Sequence, residues 1–295
     1  MDEHALPAER FEADRAHLRA VAYRMLGSLS EAEDAVQDAW LRVSRADVSD
    51  VENISGWLTT VVARVCLNVL RARRSRREES YEGAAVADRA AGPEERVDPE
   101  QEAVLAESVG LALLVVLDTL APDERLAFVL HDMFAVPFDQ IGPMIERTPA
   151  AARQLASRAR RRVKGSSPAP ATDLARRRTV VDAFLAATRG GDFEALVTLL
   201  HPDVVLNADR WVGPTPAPVV LGGAQTVAKA AMAAIGRAQY TGLALVDGSV
   251  GLAMAPYGRL VIVLRFTIVD DVITGIEVVA DPDRIAETEV AVLDV

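Results

Sequence analysis

The stretch FDQIGPMIERTPAAARQLASRARRRVK, residues 138–164, decides how the first half of this chain is read. Phe138, Ile141 and Ile145 recur at three- and four-residue spacing, which places them on the inner face of a short helix. Glu146 and Arg147 make a turn. Thr148 is suited to cap a second helix, and Pro149 to occupy its first position, where a missing N–H costs nothing. That second helix buries Ala152, Leu155, Ala156 and Ala159 and leaves Arg153, Gln154, Ser157, Arg158 and Arg161 on its other face. From Thr148 to Lys164 there are six basic residues and no acidic one. A helix hairpin with a merely solvated basic face is the bland reading. The coincidence of cap, turn and charge asymmetry instead predicts a helix-turn-helix whose second helix enters a major groove. Arginine supplies phosphate affinity there, and arginine and glutamine pair bidentately with guanine and adenine edges.

The rest of the chain constrains this. It has 295 residues, about two domains' worth by length, with 32 basic and 43 acidic side chains and a net charge of −11. A uniformly basic coat is excluded, so contact with DNA must come from local patches. A single cysteine, Cys66, rules out an intrachain disulfide and cysteine-rich zinc sites, and His4, His17, His131 and His201 fall at no ligand spacing. No metal or cofactor is expected. The charged N-terminus has no apolar core of a signal peptide, and no apolar run is long enough to span a bilayer, so a cytoplasmic protein without membrane insertion is expected.

Upstream, Phe11, Leu18, Val21, Ala22, Met25 and Leu26 mark a first helix that Gly27 ends. Ser30 with Glu33 reads as a capping box opening a second, EAEDAVQDAWLRV, with Ala32, Ala35, Val36, Ala39, Trp40 and Val43 inward. Asp34, Gln37 and Asp38 lie within about one turn of each other and project polar groups together. After a loop containing Asn53, Ser55 is expected to cap a long helix running to Arg77. Its last seven residues hold five arginines, and Asn68, Arg71 and Arg74 share one face. Trp57 suits either a base-stacking role or the core, and Cys66, among Val62, Val65 and Val69, reads as a core thiol. Between Glu78 and Glu107 ten acids meet only two arginines, a flexible acidic linker whose charge complements the arginine-rich helices it joins.

Downstream, GSSPAPAT is a second linker. Two helices follow, Arg176 to Arg189 and GGDFEALVTLLHPD, the latter stopping before Pro202. Then come β-branched segments VVLNADRW, ALVDGSVGLAMA, RLVIVLRFTIVDD and VITGIEVVAD, an α+β pattern of antiparallel type. Asp209, Asp247 and His201 are the titratable groups a catalytic pocket would need, but no spacing ties them together.

Taken in order, these motifs resemble the bacterial extracytoplasmic-function (ECF) sigma factors of the sigma-70 family. YRMLGSLSEAEDAVQDAWLRV is similar to the segment that grips the clamp helices of the RNA polymerase β′ subunit, and NISGWLTTVVARVCLNVLRARR to the part that opens and reads the −10 promoter element. LAPDERLAFVLHDMFAVPFDQIGPMIERTPAAARQLASRARRRVK is similar to sigma domain 4, which reads the −35 element. The resemblance implies Asp34, Gln37 and Asp38 as polymerase contacts. It implies Asn53, Asn68, Arg71 and Arg74 at the −10 element, and Arg153, Gln154, Ser157, Arg158 and Arg161 at the −35 element. The C-terminal part resembles the SnoaL-like members of the nuclear transport factor 2 superfamily, an α+β cone with a pocket for a small ligand, as in SigJ-like sigma factors. Asp281-Pro282-Asp283-Arg284-Ile285 partly matches a regulatory Asn-Pro-Asp-Lys-Leu signature of that subgroup. Two others are absent: YEGAAVADRAAGPEE stands where Trp-Leu-Pro-Glu-Pro would, and DRWVG where a glycine-rich turn would.

The expected architecture is therefore multidomain. Sigma domain 2 spans residues 7–77, an acidic linker 78–107, sigma domain 4 spans 108–165, a linker 166–172, and a SnoaL-like regulatory domain 173–290. The expected function is that of an alternative sigma factor, not an enzyme, with core polymerase and promoter DNA as partners. Two other readings stay open. One is a ligand-responsive helix-turn-helix regulator that never joins polymerase. The other is a C-terminal domain with isomerase-like chemistry centred on Asp247.

Overall fold

The computed structural model describes residues 5–46, 51–81, 110–165, 170–213 and 217–293. The chain divides into two compact units, Met1–Glu102 with Thr119–Arg160 and Ala103–Asp118 with Arg161–Val295. The acidic linker lies mostly outside the described residues, as do residues 166–169 of the second linker.

In the first unit α1 (Ala5–Leu26), α2 (Leu29–Val43) and α3 (Ile54–Tyr81) pack on one another. The expected stripe of α1, from Phe11 to Leu26, is buried, as are Leu58, Val62, Val65 and Cys66 of α3. Trp40 is half-buried and rests on Phe11 with ring centroids 5.1 Å apart. Trp57 is half-buried too.

Both expected caps move by two residues. Gly27, at φ 80°, ends α1 so tightly that Ser28 is already extended and caps α2, its hydroxyl facing the Glu31 N–H at 3.5 Å. Leu29 then starts the helix with its side chain buried. On α3 the cap is Asn53, whose Oδ1 accepts from the Gly56 N–H at 2.9 Å; Ser55 is already helical.

The remainder of this unit begins with α5 (Pro122–Phe128), with Pro122 at its first position. A π-helical turn, Val129–Met133, follows directly and ends at Phe134. Then come α6 (Phe138–Met144) and α7 (Pro149–Lys164), the expected helix-turn-helix. The helix between the linker and Pro122, α4 (Leu111–Thr119), belongs to the second unit in all but its last residue.

The second unit is α+β, the class expected. α8 (Ala171–Gly190) and α9 (Phe193–Leu199) precede a sheet of β1 (Leu200–Ala208), β2 (Val219–Gly222), β3 (Thr241–Val246), β4 (Ser249–Met254), β5 (Ile262–Val269), β6 (Val272–Val279) and β7 (Val290–Ala291). Strand order is β2-β1-β6-β5-β4-β3-β7, antiparallel throughout except for the β1–β6 pair. Phe184, Leu185, Leu196, Leu252, Phe266 and Ile276 lie in the core where α8 and α9 cover the sheet.

Three details differ from expectation. His201 and Pro202 belong to β1, not to the end of α9; the His201 ring Nδ1 accepts the Asp203 N–H at 3.1 Å and turns the chain locally. ALVDGSVGLAMA is two strands, folded back at Asp247 and Gly248, both at positive φ as a tight hairpin turn requires. Between β2 and β3 lie two helices the segment pattern did not predict, α10 (Ala224–Ala233), with Val227 and Ala228 buried, and α11 (Ile235–Ala238).

Candidate nucleic-acid interface

The helix-turn-helix is built from its turn outward. Glu146 sits at φ 56°, and the Arg147 N–H returns to the Gly142 carbonyl at 3.0 Å. A Cβ on Gly142 would meet the Arg147 carbonyl oxygen at 2.8 Å, so only glycine lets the turn close on α6. Thr148 Oγ1 accepts the Ala151 N–H at 3.2 Å, the expected N-cap. On α7, Ala152, Ala156 and Ala159 are buried, whereas Leu155, expected inside, is half-buried on the border of a cleft. Arg153, Gln154, Arg158 and Arg161 are exposed and Ser157 is half-exposed. The five share one helix face; Arg161 belongs to the second unit because the division falls just before it.

That face is already partly engaged. The Arg153 guanidinium stands 5.4 Å from the Phe138 ring centroid, a cation–π contact. Arg158 Nε donates to Glu124 Oε1 at 2.9 Å, and Arg160 Nε to Asp132 Oδ1 at 2.6 Å.

Asn68, Arg71 and Arg74 are exposed along α3. Arg71 donates to Asp123 Oδ1 at 3.0 Å. Arg73, one residue before Arg74, turns the other way, pairing with Glu31 and donating to the Leu26 carbonyl at 3.2 Å. Asn53 is exposed but its Oδ1 is occupied as the helix cap. Asp50, its neighbour in the loop, lies outside the described residues.

On α2, Asp34, Gln37 and Asp38 are all exposed and contiguous, as their spacing requires. Leu41 continues the same face at 50% exposure, an apolar side chain the sequence reading passed over. A large apolar group at i+3 from Asp38 and i+4 from Gln37 is the available signal.

Where α5 and the π-helical turn meet α1 and α3, Arg125 is 2% exposed and donates from Nε to the Arg24 carbonyl at 3.2 Å. Burial pulls the Arg24 guanidinium below its ordinary pKa, and it lies 5.3 Å from the Phe134 ring centroid. Phe134 also meets His17 edge-on at 5.3 Å. Neither Arg125 nor its neighbours stood out in the sequence, because arginine in LAPDERLAF reads as a solvated helix residue.

In the second unit the Asp281–Ile285 segment is held at both ends. Asp209 Oδ2 accepts the N–H groups of Ala280 and Asp281 at 2.7 and 2.8 Å. Asp281 caps α12 (Pro282–Glu287), and Arg284 donates to Glu277. Glu277 also pairs with Arg265, which reaches Asp247 Oδ2 at 2.7 Å. These two hydrogen-bonded guanidinium groups, Arg284 first, hold the Glu277 carboxyl below its ordinary range. Asp209, Asp247 and His201 are thus committed to three separate local contacts. Among the described residues no group of three or more His, Cys, Asp or Glu side chains is placed to hold a metal ion, and no helix is long and apolar enough to cross a membrane.

Comparison with known proteins bears on both helical regions. Residues 11–76 match the Sigma-70 region 2 family and residues 110–163 the Sigma-70 region 4 family. The chain is 37% identical to the ECF RNA polymerase sigma factor SigJ of Mycobacterium tuberculosis, over 95% of this chain and 93% of that one. It is 39% identical to the probable ECF RNA polymerase sigma factor SigI of the same species, over 73% and 77%. The crystal structure of the M. tuberculosis SigJ aligns over 95% of this chain and 98% of that one at 33% identity, with a TM-score of 0.44. A relative this similar across nearly the full length of both chains, with the two helical regions matched in order, shows that the chain belongs to the ECF RNA polymerase sigma factors.

Proposed function

We propose that this chain is a promoter-specificity subunit that joins core RNA polymerase, directs it to a distinct set of promoters, and is modulated by its own C-terminal domain. The face of Asp34, Gln37, Asp38 and Leu41 on α2 meets the β′ clamp helices. The acids attract arginine-bearing helices, and Leu41 supplies the apolar contact that long-range charge cannot. Asn68, Arg71 and Arg74 hold the −10 strand, with Asn53 at the loop where an unpaired base is captured at a cost of a few kcal/mol. Arg153, Gln154, Ser157, Arg158 and Arg161 read the −35 element from the major groove. The functional boundaries follow the expected ones: 7–77 for sigma domain 2, 78–107 for the acidic linker, 108–165 for sigma domain 4, 166–172 for a second linker, and 173–290 for a SnoaL-like regulatory domain. That domain works through the Asp281–Ile285 segment, binds a small ligand in its pocket, and contributes no catalysis. The protein acts in the cytoplasm, where polymerase is.

The observation that carries this reading is the capped helix-turn-helix with one basic, acid-free recognition helix, placed after a helical region whose second helix exposes contiguous acids. The test is transcription in vitro from a promoter library with core polymerase, with and without residues 172–295. Promoter-specific initiation by the full chain, altered by the truncation, is the expected result. DNA binding without initiation would favour a helix-turn-helix regulator that does not join polymerase.

A further inference from the structure

Arg153 is placed by an aromatic stack contributed by two elements other than its own. The His131 ring, in the π-helical turn, lies against the Phe138 ring at the start of α6, with centroids 3.8 Å apart and planes 27° apart. The Arg153 guanidinium of α7 stands over the same Phe138 ring, 5.4 Å from its centroid. All three residues belong to the first compact unit. We propose that Phe138, held by His131, is a positioning residue for −35 recognition: it fixes how Arg153 presents its N–H groups to a base edge, and so sets discrimination at one base pair without itself touching DNA.

The proposal rests on the reading of Arg153 as a −35 contact. Three physical arguments support it. The first is how the contact uses the guanidinium. Arg158 is held through its Nε, so one of its donors is already committed to Glu124. The Phe138 ring instead attracts the cation through its π cloud and commits no N–H group. The fork of donors is left for a base edge, such as the paired O6 and N7 acceptors of guanine.

The second argument is about choice. Arg153 is exposed, and a long exposed side chain must be ordered before it can read a base, at a cost in binding free energy. Without a support it is also free to swing to a phosphate oxygen, which carries no sequence information. A ring that holds the guanidinium beforehand removes part of the ordering cost and disfavours the uninformative pose. The third argument is that the ring itself cannot follow the guanidinium. Phe138 is only 8% exposed. His131 Nδ1 lies 3.0 Å from the Val136 carbonyl oxygen, which can only accept, so the ring donates there and is fixed to the backbone. The Val136 N–H returns to the Leu130 carbonyl at 2.9 Å, and Ala135 between them stands at φ 54°, a conformation alanine seldom adopts. The loop is thus wound around the same imidazole that covers the phenyl ring.

The test is equilibrium binding of the full chain, assembled with core polymerase, to promoters varied one base at a time across the −35 element, at several salt concentrations. Arg153→Ala defines the position read: discrimination there falls roughly fivefold to 150-fold. Phe138→Leu keeps an apolar side chain but offers no π face. It loses about twofold to fivefold at that position alone, with the salt dependence of wild type because the cation remains. Phe138→Tyr, which restores the ring, discriminates as wild type does. Phe138→Leu/Arg153→Ala discriminates no worse than Arg153→Ala, since the ring acts only through that arginine. Should Phe138→Leu fail to fold, His131→Leu leaves the phenyl ring in place, removes its support, and is compared at the same position with and without Arg153→Ala. A loss spread evenly over all positions, a tyrosine no better than leucine, or a double variant worse than Arg153→Ala would each overturn the positioning role. If Arg153→Ala alters discrimination at no −35 position, the reading of Arg153 as a DNA contact fails instead, which the single variant shows by itself.

Discussion

Glu277 shows how single side chains organise the second unit. It accepts from Arg284 and from Arg265, and so couples α12 to β5 and, through Arg265, to Asp247 in the β3–β4 turn. Because these partners favour the charged form, its folded-state pKa lies below the ordinary value of 4.5. The stabilisation is therefore fully present above that value and is lost as pH falls through the lower folded-state value. Glu277→Gln removes this dependence. In melting experiments the variant should lose less stability than wild type between pH 5 and about pH 3, while starting lower at pH 7. An equal acid sensitivity in both would show that the ion pairs contribute nothing. Cys66 is the opposite case, an isolated buried group. Desolvation pushes its thiol up to about 12, so no thiolate exists at neutral pH. A thiol reagent at pH 8 should react with the native chain no faster than the chain opens, and at once in denaturant. Rapid native labelling would contradict its place in the core.

At the scale of elements, the helix-turn-helix stands or falls with its turn. Gly142→Ala puts a Cβ 2.8 Å from a backbone carbonyl oxygen that cannot swing away, so α6 or the turn must shift. The expected cost is about 1–3 kcal/mol in urea unfolding, with weakened −35 binding as the turn re-aims α7. Loss of binding at unchanged stability would mean that Gly142 touches DNA instead. This motif was legible because its signals are local: a cap, a proline and an alanine stripe within 27 residues. α1 and α2 were legible through long apolar periodicity. What escaped was set by longer range or weaker signal. The caps at Ser28 and Asn53 depend on where Gly27 ends one helix and where the loop re-enters the next. α10 turns Ala224, Val227, Ala228, Ala231 and Met232 to the core, a stripe made mostly of alanines whose small side chains give weak apolar contrast. The carboxylates holding Arg71 and Arg158 lie 52 and 34 residues away in sequence, a pairing that no spacing rule reaches. The candidate DNA face was thus readable as a list of side chains, but not its present occupancy.

At the scale of the whole molecule, a chain of net charge −11 is expected to bind DNA only where arginines outweigh the general repulsion. This makes the roles on α7 separable by salt. An arginine that neutralises a phosphate releases counterions, and its loss should reduce the steepness of log affinity against log salt by about 0.9. A residue that reads a base edge leaves the slope alone and changes which sequence is preferred. For the chain assembled with core polymerase, Arg161→Ala is accordingly expected to flatten the salt dependence with little change in promoter preference. Gln154→Ala should keep the slope and lose discrimination at one −35 position, by about 1–3 kcal/mol against the wrong base. The measurement is equilibrium binding at four or more salt concentrations on promoters varied one base at a time. If both variants changed neither slope nor preference, α7 would lie outside the groove, and the acid-free face that organises the first unit would need another purpose.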